Sequence, residues 1–173
     1  MRAKTLWTIG VVVMLCALAS GQAAWAAPTI SLTVDNATPA VGGSFTVTVN
    51  LAEAAPFACW GEYLKFDPTK VQFVSQAAGT FSTFVADSRG AAAINAAGDI
   101  RAGGFSLADN AGGSGTLGVF TFQALATGAT SITTEAQSVA NPFGDALLTK
   151  AGGTVLPGIA GPLSITVGPD PKH

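Results

Sequence analysis

The stretch Glu62-Tyr63-Leu64-Lys65-Phe66-Asp67-Pro68-Thr69-Lys70-Val71-Gln72-Phe73-Val74 decides the fold. Apolar and polar residues alternate up to Asp67-Pro68, and a second alternating run begins directly afterwards. A period of two marks a strand with one face in a core. Pro68 sets its own φ and has no N–H to give to a ladder, so the first strand ends there and the chain turns. The reading is two consecutive strands, 59–66 and 71–76, joined tightly. Leu64 and Phe66 fall on the inner face, and Tyr63 and Lys65 on the outer one. Continued upstream, the alternation puts Glu62 inside, and a bulge at Gly61 is the expected relief.

The same texture extends in both directions. Ile30, Leu32 and Val34 alternate with Thr29, Ser31 and Thr33, and Phe45, Val47, Val49 and Leu51 with Ser44, Thr46, Thr48 and Asn50. A turn-rich link with Pro39 and Gly42-Gly43 joins these runs. Downstream, residues 79–86 read as a loop or short irregular strand, and residues 91–95 and 100–107 as a hairpin turning at Ala97-Gly98-Asp99. Residues 116–125 form a strong strand with Leu117, Phe120, Phe122 and Ala124 inward. This set changes phase once, which predicts a bulge near Gly118. Strands at 130–135 and through Leu163, Ile165 and Val167 complete the set, with 137–153 read as irregular. No segment shows a helical stripe. About nine short strands with frequent turn signals predict an all-β, two-sheet sandwich.

Residues 1–26 stand outside that domain. Arg2 and Lys4 precede an apolar run at 6–18, and Ala24-Trp25-Ala26 supplies the small residues that a signal peptidase reads, so cleavage after Ala26 is expected. The alternative is an uncleaved N-terminal anchor. The domain is then 27–168, with 169–173 as a frayed tail. Without Arg2 and Lys4 the formal net charge moves from −2 to −4, ten acids against six bases. A mildly acidic chain with no basic run is poorly suited to nucleic acid or to an anionic membrane surface. Cys59 is the one cysteine after Cys16, so the domain has no internal disulfide. Cys59 is read as a small buried residue or, alternatively, as an intermolecular link.

Three stretches together resemble the cohesin domain family. The first is Tyr63-Leu64-Lys65-Phe66-Asp67-Pro68 with Lys70-Val71-Gln72-Phe73, similar to the family's aromatic–x–Tyr-Asp-Pro stretch with Phe66 in place of Tyr. The second is Gly104-Phe105-Ser106-Leu107, a Gly-rich loop, and then Gly115-Thr116-Leu117-Gly118-Val119-Phe120-Thr121-Phe122. The third is the opening pair of strands around Pro39 and Gly42-Gly43. The resemblance spans essentially all of 27–168. It implies a nine-stranded jelly-roll sandwich, shared with some carbohydrate-binding modules, and a dockerin partner in assemblies that degrade polysaccharides. It also implies that the partner is read by the third strand and its neighbours, where this chain has Ala58-Cys59-Trp60-Gly61.

Catalytic groups are scarce. The single histidine is His173, the last residue, so no Ser-His-Asp or Cys-His arrangement is available. Glu62 and Asp99 are the one carboxylate pair considered for glycoside hydrolysis, against the plainer reading as surface carboxylates. No cofactor is called for. Asp109-Asn110 in the Gly-rich loop is the one candidate calcium position, with too few acids to hold the ion alone. The partner-binding candidates are Trp60, Tyr63 and Lys65. An exposed aromatic on a flat sheet stacks on a sugar or anchors a protein, and the alternative for Trp60 is the core beside Cys59. These readings converge on an exported, non-catalytic module that binds a protein or a polysaccharide. The second reading is a structural surface or matrix subunit, assembled through edge strands or Cys59.

Overall fold

The computed structural model describes residues 27–81, 83–105, 112–149 and 153–172. The elements, in chain order, are β1 (Thr29–Val34), β2 (Ser44–Ala54), β3 (Phe57–Lys65), β4 (Val71–Ala78), β5 (Phe84–Val85), α1 (Ala91–Ala97), β6 (Asp99–Phe105), β7 (Gly113–Ala124), β8 (Gly128–Thr134), β9 (Ala146–Thr149), β10 (Thr154–Val155), β11 (Gly158–Ile159) and β12 (Leu163–Val167). They form the expected two-sheet sandwich. One sheet has five strands in the order β11-β1-β2-β7-β4. The other has seven, with β10-β9-β3-β6-β5 in a row and β8 joining β3 to β12. The strand count exceeds nine because several two-residue strands pair at the sheet margins.

The turn at Asp67-Pro68 is built as its chemistry demands. The Asp67 carboxylate accepts from the Thr69 N–H at 2.8 Å and the Thr69 hydroxyl at 2.6 Å, while the Asp67 carbonyl accepts from Lys70 and Val71 N–H at 3.1 and 3.0 Å. The turn sends the chain from β3 in one sheet to β4 in the other, so the two strands cover opposite sides of one core. Phe45, Val47, Val49 and Leu51 of β2 and Leu117, Phe120, Phe122 and Ala124 of β7 are all buried, as the alternation predicts. Phe122 sits at the centre, stacked on Phe45 at 5.7 Å and met edge-on by Phe66 at 5.3 Å and Phe73 at 6.3 Å. Burial of each such side chain contributes about 1.5–3 kcal/mol. The predicted phase change lies beside Gly118: Val49 faces Gly118 and Asn50 faces Thr116, so Leu117 is the extra residue.

Four expectations are corrected. Residues 91–97 are a helix, not the first arm of a hairpin, and β6 pairs with β3 instead. Five of those seven residues are alanine, the strongest helix former, and Gly98 ends the helix in the left-handed conformation at φ 68°. Gly61 carries no bulge. The register runs evenly through Gly61↔Gly103 and Glu62↔Ala102, and the irregularity falls between Phe57 and Cys59. Residues 137–153 include the strand β9, which extends the β3 sheet. Tyr63 is buried despite its outward phase.

Helix α1 and the segment before it close the gap between β4 and β6. The Asn95 side-chain amide accepts from the Phe73 N–H at 2.7 Å and donates to the Phe73 carbonyl at 3.0 Å, mimicking a neighbouring strand. From β4 itself the Gln76 side-chain amide reaches out to the backbone N–H and carbonyl of Asp87. An open edge strand is a template for self-association, and Asn95 occupies the free side of β4 at Phe73.

Candidate functional site

Strand β3 is the spine of the seven-stranded sheet, and its residues alternate between the core and the outer face. Trp60, Glu62 and Leu64 point inward; Cys59, Gly61, Tyr63 and Lys65 belong to the outer row. Across the strands the outer face presents two apolar rows. One is Leu148–Cys59–Phe105, and the other is Ala146–Gly61–Gly103–Val85. Leu148, Phe105 and Val85 are exposed there. Below these rows Tyr63 lies opposite Arg101, and Lys65 opposite Asp99 and Thr133. An open groove of about 490 Å³ runs over this face, lined in part by Cys59, Gly61, Arg101, Phe143 and Leu148.

Residues 137–144 lie against one side of the groove. Phe143 stands over the Arg101 guanidinium, 4.2 Å from carbon to ring centroid. Gly144 approaches Gly61, where an added Cβ would sit 3.8 Å from the Gly144 carbonyl. Gly144 itself has no room for a side chain, because a Cβ there would lie 2.5 Å from the backbone of Ala136 and Gln137. The Tyr63 side chain falls between the Gly61 and Lys65 positions and is left 9 % exposed.

The inner side of the same strands carries charge. Glu62 is 1 % exposed, and among the described residues neither of its carboxyl oxygens has a hydrogen-bond partner. Its carboxyl lies over Gly118, where a Cβ would come within 2.6 Å of Oε2. Burial pushes Glu62 well above the usual carboxylate range, Asp145 adds to this, and the indole N–H of Trp60 opposes it without reaching hydrogen-bond geometry. Asp145 is fully buried and is pushed up to about 8, chiefly by burial. The Tyr63 N–H works against the rise, and the Glu135 charge adds to it. A second cluster, on the outer side with Arg101 and Asp99, is fully paired. Arg89 grips Asp87 at 2.6 Å and Asp99 at 2.7 Å, and Arg101 donates from Nε to Asp99 at 3.0 Å and from its backbone N–H to Asp87 at 2.8 Å. Burial alone would raise Asp87, but the bonds from Arg89 and Arg101 outweigh it and hold its carboxyl below the usual range.

Of the three sequence candidates, Trp60 is a core residue at 4 % exposure, its ring packed over Gly104 and edge-on to Phe57 at 5.8 Å. Tyr63 is on the outer row but covered, so its predicted exposure is corrected. Lys65 is exposed and pairs with Glu135 at 3.4 Å. Glu62 and Asp99 form no catalytic pair: the first is sealed between the sheets, and both oxygens of the second are engaged by arginines. Asp109, Asn110, His173 and residues 1–26 lie outside the described residues. Among the described residues no group of three or more His, Cys, Asp or Glu is placed to hold a metal ion. Sequence reasoning missed Leu148, Phe143 and Asp145. All three fall in 137–153, where turn residues mask the β9 alternation.

The sequence profile of the cohesin domain family matches residues 30–155. The chain is also similar to solved structures. A type II cohesin domain from the cellulosome of Acetivibrio cellulolyticus superposes with a TM-score of 0.65 at 20 % identity, over 81 % of this chain and 95 % of that one. The sixth cohesin of scaffoldin B from the same organism, solved in complex with a dockerin, gives 0.61 at 13 % identity, over 81 % and 99 %. The cohesin module of a Clostridium perfringens family 33 glycoside hydrolase gives 0.61 at 9 % identity, over 83 % and 98 %. No curated protein sequence matches the chain. The profile match spans most of the chain and the sandwich is the family's fold; the chain belongs to the cohesin domain family.

Proposed function

We propose that this is an exported, non-catalytic binding module. Its partner is a protein of the dockerin type, docked on the outer face of the seven-stranded sheet. The observation that carries the reading is the contrast between the two outer faces. On the five-stranded sheet that face is mainly polar, with Val119 in its outer row and Val74 exposed on β4: Thr33 lies beside Thr48, Thr46 beside Thr121, Ser31 beside Asn50, and Gln72 is bonded to Gln123 at 2.6 Å. On the seven-stranded sheet it offers Leu148, Phe105 and Val85, with Phe143 beside them. A contiguous apolar patch rimmed by charge is the mark of a protein contact. Sugar stacking is less well supported, because Trp60 and Tyr63 are both buried and no other tryptophan or tyrosine falls among the described residues. Family membership supports the dockerin assignment and a place in extracellular polysaccharide breakdown. The structural-subunit reading loses support at the β4 edge, where Asn95 already occupies the Phe73 backbone.

A capture assay tests this. The chain lacking residues 1–26 is passed over immobilised type I and type II dockerin modules and over insoluble cellulose and xylan. Retention by at least one dockerin and by neither polysaccharide is expected. Retention by polysaccharide alone overturns the reading.

A further inference from the structure

The ladder on one side of β3 is incomplete. β9 pairs with β3 between Phe57 and Gly61, and β8 pairs with Leu64 and Lys65, so Glu62 and Tyr63 fall between the two partners. At that gap the Tyr63 N–H donates to Asp145 Oδ1 at 2.6 Å. A side-chain carboxyl thus stands where a strand carbonyl belongs. Its other oxygen is engaged by the Thr134 hydroxyl, at the end of β8. The backbone is fixed at the same point: the Asp145 N–H donates to the Glu135 carbonyl at 2.7 Å, and the Gln137 N–H to the Asp145 carbonyl at 2.9 Å. Residues 137–144 therefore leave and return through one anchor. Inside the loop the Ser138 and Gly144 N–H groups donate to the Asn141 carbonyl at 3.0 and 3.1 Å, and Gln137 Nε2 donates to the Pro142 carbonyl at 2.8 Å. A loop so tied to itself moves as one piece.

We infer that residues 137–144 form a strap across the partner face, held shut by the Asp145 carboxyl, and that losing the proton of that carboxyl loosens it. Two acids stand near Asp145: Glu135, just after β8, whose charge raises it, and Glu62 of β3, which Asp145 in turn raises. The neighbouring bases are engaged elsewhere. Lys65 of β3 pairs with Glu135, and Arg101 of β6 is bound to Asp99 beneath Phe143. A negative charge on Asp145 thus has no counter-ion of its own, whereas in an open strap the carboxyl reaches water. The closed form binds the proton more tightly than the open one, so acid favours closure. Opening grows about tenfold per pH unit above the ordinary carboxylate range and levels off near pH 8, where the closed form has also ionised. Movement of the strap carries Gly144 away from Gly61 and Phe143 away from Arg101, so the inference rests on the proposed partner face only for what the movement exposes.

Backbone hydrogen exchange on the partner-free chain tests it from pH 5 to pH 9, with rates normalised for intrinsic base catalysis. The bonded amides of Ser138 and Gly144 are followed against those of β7 as reference. Protection of the strap is expected to fall about tenfold per pH unit and to level off near pH 8, while β7 stays unchanged. Asp145→Asn keeps an acceptor for Tyr63 but cannot ionise, so its strap protection should be flat. Glu135→Gln, at an exposed site, should move the levelling point to lower pH. Flat protection in the unmodified chain, or an unchanged slope in Asp145→Asn, overturns the inference. If Asp145→Asn does not fold, an unchanged levelling point in Glu135→Gln overturns it instead. A dockerin panel that fails to bind removes the partner reading and leaves the exchange result standing.

Discussion

The two sheets bury their inner faces by different means. The five-stranded sheet uses apolar side chains alone: β2 and β7 present Phe45, Val47, Val49, Leu51, Leu117, Phe120 and Phe122, with Phe45 facing Phe122 and Val47 facing Phe120. The seven-stranded sheet places Glu62 among Trp60, Leu64 and Ile100, sets Asp145 into a gap in the ladder, and ties its margin with the Arg89 cluster. The outer faces divide the other way. The sheet with the plain core has a polar surface, and the sheet with the charged core has the apolar one. One sheet carries an apolar core free of charge, and the other carries the buried acids and the proposed partner face. Buried polar groups without partners each cost about 1–3 kcal/mol, a cost the first sheet avoids.

Breaking the plain core should have the largest effect. Phe122→Ala removes the ring on which Phe45, Phe66 and Phe73 converge and should destabilise the domain by about 3–5 kcal/mol in denaturant unfolding. A loss below about 1 kcal/mol would mean the centre of the core lies elsewhere. Arg89→Ala strands Asp87, whose side chain is 3 % exposed, together with Asp99. Discounted for the partial exposure of Arg89, the cost should be about 2 kcal/mol, read by the same unfolding curves.

The buried acids sharpen the contrast through pH. Glu62 and Asp145 both have folded-state values above their unfolded ones, so the stability linked to them is full in acid and is lost as pH rises towards their folded values, about 8 for Asp145. Asp87 has the opposite sign: its contribution is present above the ordinary carboxylate range and is lost in acid. Glu62→Gln should therefore leave stability near pH 5 little changed and raise it by about 1–3 kcal/mol at pH 8. Equal curves at both pH values would show that Glu62 does not titrate in the core. The smallest effect belongs to the exposed Lys65–Glu135 pair, where Lys65→Ala should cost no more than about 0.5 kcal/mol and disappear in high salt.

The same division explains what could be read from the sequence. Strands β1 and β2 alternate cleanly, β4 and β7 do so apart from one phase change each, and the Asp67-Pro68 turn carries its own geometry. Strand β3 does not alternate in polarity. Phase alone puts Glu62 inside, where it is, but its charge argues for a bulge at Gly61 that does not form, and Tyr63, although on the outer row, is covered. What decides them is non-local: Gly118 makes room for the Glu62 carboxyl, and Asp145, 82 positions away, binds the Tyr63 N–H. The alanines of α1 follow a strand by composition of neighbours but a helix by propensity, and the helix wins because it caps the free side of β4 through Asn95. The candidate site was only partly legible: the strand was found, but Leu148, Phe143 and Asp145 lie in a stretch whose pairing with β3 spans some 80 positions of sequence, as the Tyr63–Asp145 bond shows with a separation of 82.

One comparison of the two outer faces tests the account most directly. Leu148→Asp places a charge on the apolar face, and Thr121→Asp places one on the polar face; both sites lie at the surface of their sheets. Dockerin capture by the two variants is measured with far-ultraviolet dichroism to verify folding. Loss of capture of tenfold or more in Leu148→Asp, with Thr121→Asp unchanged, is the predicted result. Undiminished capture by a folded Leu148→Asp, or loss confined to Thr121→Asp, would contradict the assignment of the partner face to the seven-stranded sheet.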